Sequence, residues 1–119
     1  MAINSDFRGR VAEALVEKYR IVKAGTAVGA CIKAVAATDK LLGTSAELDT
    51  AIGDVVDIAV GPVPKVKLGG TVAVGDALTS DANGKAIATT TIGNRVIGFA
   101  EVAGVLDDEI TYLRAPGIV

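Results

Sequence analysis

The chain has 119 residues, half of them apolar, with a formal net charge of −2, two Phe, two Tyr, no Trp and no His. That length supports one small domain around a modest core, which Val, Ile, Leu and Ala must fill. The charge offers no broad field for nucleic acid or an anionic membrane, and the lack of His removes the commonest general base, metal ligand and triad member.

The opening "MAINSDFRGR" is polar and carries no apolar stretch of the kind a signal peptide needs. It reads as an extended arm over residues 1–10, ahead of a single β-rich domain over residues 11–119. No window approaches a membrane span, so a soluble protein made in a reducing cytoplasm is expected. Cys31 is the only cysteine, which excludes an intrachain disulfide.

In "RVAEALVEKYRIVKAG", Val11, Leu15 and Tyr19 fall at helical spacing, leaving room for one short helix over 12–18 before a strand at about 19–23. Thr26–Thr38 alternates around Cys31, Ile32 and Val35. "LLGTSAELDTAIGD" reads as a loop and Val55–Gly61 as a β-branched strand. Val63, Val66 and Leu68 interleave with Lys65 and Lys67, while Pro62 and Pro64 hold that segment at an edge or bend. Gly93–Gly104 and Glu109–Gly117 are the last strand candidates. A glycine-ended corner recurs as Thr26–Gly29, Thr50–Gly53, Val72–Gly75 and Thr91–Gly93, at spacings too irregular for a solenoid. Short strands between Gly and Asp corners argue for an all-β fold, a small β-barrel or β-clip-like sandwich.

The stretch "GGTVAVGDALTSDANGKAI", residues 69–87, invites two chemical readings and a plain one. A phosphate loop needs Gly five residues before Gly84-Lys85 and Ser or Thr after it; Thr79 and Ala86 stand there instead. A calcium loop needs its glycine five residues after the first Asp, whereas Gly84 follows Asp81 by three. The plain reading is a hairpin, with Asp81 accepting amide hydrogen bonds and Asn83-Gly84 turning the chain.

The remaining inventory for catalysis is thin. Cys31 sits in the apolar run "VGACIKAVA", where a thiolate is disfavoured. Asp107, Asp108 and Glu109 read as a charged turn rather than a metal patch. Lys65 and Lys67 have no neighbouring aromatic for base stacking and suit edge protection. No catalytic, cofactor-binding or metal residue is assigned, and an enzyme would have to rely on Cys31 or an Asp pair.

The order "ALVEKYRIVKAG", "AIGDVVDIAVGPVPKVKLGGTVAVGDALTSDANGKAIA", "VIGFAEVAG" and "ITYLRAPG" resembles the capsid-cement, or head-decoration, family of tailed bacteriophages over residues 14–117. The resemblance implies a compact β body, possessing no catalytic residues, that assembles as a homotrimer on the outer face of the virion head. Its partners would be the major capsid protein and itself, at threefold positions, with no nucleic acid, membrane or cofactor. Within the arm, Phe7 is the expected anchor, with Arg8 and Arg10 meeting acidic capsid surface. Two other readings stay open: a β-barrel adaptor or ligand-binding module of a cellular complex, and another phage head or tail component.

Overall fold

A computed structural model of the chain describes residues 7–59 and 64–119, with the side chains of Phe7 and Arg8 outside that description. Its described elements are ten β-strands, and the fold is all-β as the sequence implies. The first unit holds β1 (Phe7–Ala12), β2 (Ile21–Ala24), β3 (Ala30–Lys33), β4 (Leu41–Ser45) and β5 (Val55–Ala59). They pair in the order β1-β3-β2-β4-β5 and close into a barrel through β1 and β5. Closure removes the free edges that an open sheet of this size would expose.

The second unit holds β6 (Lys65–Lys67), β7 (Ala77–Ser80), β8 (Ala86–Ala88), β9 (Arg95–Ala100) and β10 (Glu109–Ile118), in the order β6-β10-β9-β7-β8. A parallel bridge between Leu68, just after β6, and Ala86 of β8 joins its two ends.

The second unit therefore repeats the first. Ala12 and Cys31 pair in parallel as Leu68 and Ala86 do. Val16 bridges Thr50 as Val72 bridges Gly104. Ala12 donates to Asp54 O and accepts from Gly53 N, and Leu68 makes the same pair with Asp108 and Asp107. Even the capping of the first hairpin corresponds, with its residues exchanged. Glu13 reaches Thr26 N and Ala27 N at 2.9 Å each, and a Cβ on Gly25 would collide with that carboxylate. In the second unit Gly69 stands at the place of Glu13 and Asp81 at the place of Gly25. The Asp81 carboxylate caps Asn83 N and Lys85 N and fills the space beside Gly69.

The amides of Thr26 and Ala27, with the Thr26 hydroxyl, hold the Glu13 carboxyl below the usual range. Its stabilising effect is thus present above the ordinary glutamate value and fades as pH falls through the lowered one. Glu13→Ala is expected to lower the melting temperature more at pH 7 than at pH 3, as thermal melts at both pH values would check.

Two apolar clusters fill the units. Ala12, Val16, Val22, Cys31, Val56 and Ile58 form the first. The second is built on Val66, Leu68, Leu78, Ile97, Ile110 and Tyr112, and it also takes in Ile21 and Ala34 from the first unit. The units thus share a packed joint.

Three expectations need correction or relocation. No helix covers 12–18: Ala12 N, Glu13 N and Val16 N donate to Asp54, Cys31 and Thr50 carbonyls, and Val11 and Leu15 are exposed. Tertiary pairing overrides a weak local preference. The segment after Lys40 is not all loop, because Leu41–Ser45 forms β4. Residues 7–10, expected in an extended arm, form most of β1 and run in register along β5 from Phe7↔Ala59 to Arg10↔Val56; residues 1–6 lie outside the described residues.

Candidate functional site

The turns set the character of the surface. Asp54 N, Asp76 N, Asn94 N and Asp108 N each donate to the carbonyl three residues back, and Ala30 N does the same to Ala27. The third residue of each turn has positive φ: Gly29 at 76°, Gly53 at 88°, Gly75 at 86°, Gly93 at 95° and Asp107 at 70°. Glycine or aspartate is needed there because a Cβ crowds the backbone in that region. The residue just before it is aliphatic every time, namely Val28, Ile52, Val74, Ile92 and Leu106, and every one is exposed. Single exposed aliphatics are ordinary, but here the same placement recurs at five turns. On the outer side of the second unit, Phe99 and Leu113 face each other across β9 and β10 and are likewise exposed.

The hairpin reading of residues 69–87 holds. β7 and β8 pair antiparallel from Leu78↔Ala88 to Ser80↔Ala86, and Gly84 turns with φ 71°. This turn is also functional in the fold. Gly84 O accepts from Ile21 N at 2.6 Å and Asn83 O from Arg20 Nη1 at 3.0 Å, clamping the second unit to the first. Arg20 is steadied by Glu17 at 2.9 Å, which also binds Lys33 at 3.0 Å. Burial pushes the Glu17 carboxyl up, but Lys33 and Arg20 together hold it below the usual range.

The other candidates resolve simply. Cys31 is fully buried, and burial pushes its thiol up. Asp108 caps Val105 N at 2.9 Å and Asp107 pairs with Lys85 at 2.7 Å, so these carboxylates serve a turn. The hydrogen bond from Lys85 holds Asp107 below its ordinary value. Lys65 and Lys67 lie on β6, but neither is remote from an aromatic: Lys65 Nζ stands 6.0 Å from the centre of the Tyr19 ring, and Lys67 N donates to Tyr19 O at 2.8 Å, so the strand is not a bare edge. Among the described residues no group of three His, Cys, Asp or Glu could hold a metal ion.

Of the expected contact residues, Phe7 and Arg8 are placed by their backbones on β1, with side chains outside the description. Arg10 is half-buried and donates from Nη1 to Ala30 O at 3.1 Å, so part of its guanidinium serves the barrel. Sequence reading missed the turn knobs, although each stands as an aliphatic directly before a corner glycine or Asp107. A cleft of about 490 Å³ lies over the outer side of β5, lined by Tyr19, Glu47, Leu48, Val55, Asp57 and Lys65 among others. Tyr19 has φ 55° where the equivalent corners carry Gly53, Gly75 and Asp107. Burial, with Glu47 and Glu109 near, pushes its phenol up.

Geometry of this kind defines a class: an all-β body of a closed barrel and a second five-stranded sheet that repeats its pairing, with exposed aliphatics at its turns. Residues 9–113 match the phage cement protein family, and the chain belongs to that family. It is thus a structural protein of phage virions. Among solved structures it is similar to the head fiber gp8.5 N base of bacteriophage phi29, at TM-score 0.75 and 21% identity, covering 95% of this chain and 96% of that one. That likeness carries the fold. No curated protein matches the chain.

Proposed function

We propose that this protein binds the outer face of a phage capsid as a homotrimer at threefold and quasi-threefold positions. There it cements neighbouring major capsid subunits against the outward pressure of packaged DNA. The observation that carries this reading is membership of the cement family over nearly the whole chain, on a body whose corners present aliphatic knobs. A single small body binds weakly because association costs several kcal/mol of lost freedom. Three joined copies share that cost, so their combined hold exceeds one copy's by about 100-fold or more. A body spanning several capsid subunits then resists their separation without any bond-making chemistry.

Residues 1–10 supply part of the capsid contact, with Phe7 as apolar anchor and Arg8 and Arg10 meeting acidic capsid surface. Since Phe7–Ala12 belongs to the barrel, the informative truncation removes residues 2–6 only, accompanied by Arg8→Glu in the full chain. Both variants are expected to keep the wild-type circular dichroism and to bind undecorated shells about tenfold more weakly in co-sedimentation. Light scattering on the free protein is expected to give three times the 12.0 kDa chain mass. Wild-type retention by both variants would remove residues 2–6 and Arg8 from the interface, and failure of the wild-type protein to sediment with shells would overturn the cement reading itself.

A further inference from the structure

The joint between the two units is head to tail, and among the described residues the counterpart of each of its two pieces has no partner on the other unit. Within the chain, the second unit contributes the turn at Gly84, which seats on the start of β2 and the end of β3. A Cβ on Gly84 would come within 2.9 Å of Ile21 O and 2.5 Å of Lys33 Cγ, so the approach is close. The first unit contributes the loop after β3, where Ala37 O accepts from Arg95 N at 2.7 Å and from Thr79 Oγ1 at 3.3 Å.

The internal repeat identifies the counterpart of each piece. Gly25 N to Ala30 O corresponds to Asp81 N to Lys85 O, which makes Gly29 the counterpart of Gly84 and Val28 that of Asn83. Ala34 N to Ile21 O corresponds to Thr89 N to Ala77 O, which matches Ile21 with Ala77 and Lys33 with Ala88. The turn closed by Asp39 N and Ala36 O corresponds to that of Asn94 N and Thr91 O, which matches Ala37 with Ile92. Were the joint a pseudo-twofold, Gly29 would sit against Ala77 of its own chain. Gly29 O instead accepts from Val11 N at 2.9 Å, and among the described residues nothing stands within 4 Å of where a Cβ on Gly29 would be.

At these unused positions stand the two most exposed large aliphatics among the described residues, Val28 at 107% and Ile92 at 89%. One lies on each free half. Asn83 and Ala37, their partnered counterparts, hold the joint through backbone carbonyls. The Arg20 clamp has no counterpart, because Asp76 occupies the equivalent place. The outer contact would therefore lack the guanidinium of the inner one, and it would have to bury Val28 where the inner joint leaves the Asn83 side chain exposed.

We infer that a second copy of this chain completes the joint: the Val28–Gly29 turn of one copy seats on Ala77 and Ala88 of the next, whose Ile92 turn packs beside Lys23 of the first. The inference rests on the self-association proposed above and assigns its surface. A contact of this heterologous kind uses a different patch on each copy and closes into a ring when the rotation per copy divides a full turn.

The test uses the full chain. Val28→Asp and Ile92→Asp lie at exposed turn positions and are expected to keep the wild-type circular dichroism and melting temperature. Each is expected to raise the self-dissociation constant by about 30-fold or more, read by light scattering across a dilution series. In a second arm, Val28→Cys and Ala88→Cys proteins are treated with a short bis-maleimide separately and mixed. The mixture is expected to give a cross-linked dimer that neither protein gives alone, with the wild type and its buried Cys31 as blank. If the wild type is oligomeric, the aspartate variants stay so and the mixture gives no dimer, this surface is wrong while the self-association reading stands. A wild type that is monomeric at every concentration overturns both.

Discussion

Gly98→Ala is expected to be among the most damaging single substitutions in the chain. Gly98 lies mid-strand on β9, opposite Arg114 of β10 and Leu78 of β7. A Cβ there would overlap the Leu113 carbonyl oxygen and crowd Ala115 N at 3.0 Å. Those neighbours are backbone, so no rotamer change relieves the clash, and β9 and β10 must part at the centre of the sheet. Overpacking of this kind costs about 3 kcal/mol or more. The equivalent glycine of the first unit, Gly43, would place its Cβ 2.9 Å from Ala59 O, a less severe approach. Chemical denaturation is expected to rank the two variants in that order, with Gly98→Ala far below wild type. Near-equal midpoints for wild type and Gly98→Ala would contradict the strand contact.

The second large effect is at Tyr112. It is the bulkiest fully buried side chain, and its hydroxyl lies 3.1 Å from Thr44 Oγ1. Thr44 belongs to β4 and Tyr112 to β10, so this pair joins the two units through their interior. Tyr112→Ala opens a cavity and is expected to cost about 3–5 kcal/mol. Tyr112→Phe keeps the packing but leaves the buried Thr44 hydroxyl without that partner, for about 1–3 kcal/mol. Adding Thr44→Val to Tyr112→Phe is expected to recover much of the loss, since both polar groups then go together.

The same residue sets an alkaline limit. Burial pushes the Tyr112 phenol up to about 12. A value raised in the folded state stabilises fully below the unfolded value near 10 and is lost as pH climbs from there towards 12. About 3 kcal/mol is at stake over that interval. Stability measured from pH 9 to pH 12 is expected to fall less steeply in Tyr112→Phe than in wild type.

Most strands were legible in the sequence because β-branched runs such as Val55–Ala59 and Arg95–Ala100 sit between Gly and Asp corners. The hairpin at Asp81–Gly84 was legible for the same reason, down to the carboxylate that caps it. β4 was hidden by Gly43, which reads as a loop residue but lies in a strand because Ala59 O approaches too closely for a side chain. The short helix was suggested by Val11, Leu15 and Tyr19, and it loses to pairing with residues 50–54 that no local window contains.

The duplication was the larger omission. Corner spacing is uneven because the four corners stand at different places of the repeat, their counterparts carrying Gly84, Asp107, Tyr19 and Thr38, and compensating exchanges such as Glu13 with Gly25 against Gly69 with Asp81 erase identity while preserving geometry. Ala46-Glu47 against Ala100-Glu101, and Asp54 against Asp108, were the surviving traces. The knobs escaped notice because one exposed aliphatic means little, and only the fold shows that each takes the same place within its own turn.

Electron cryomicroscopy of heads of the same phage, prepared with and without this protein, tests the cement proposal most directly. Trimeric density on the outer shell, above threefold points where major capsid subunits meet and absent without the protein, is the predicted result. Identical maps from both preparations, or added density on the inner face alone, would contradict it.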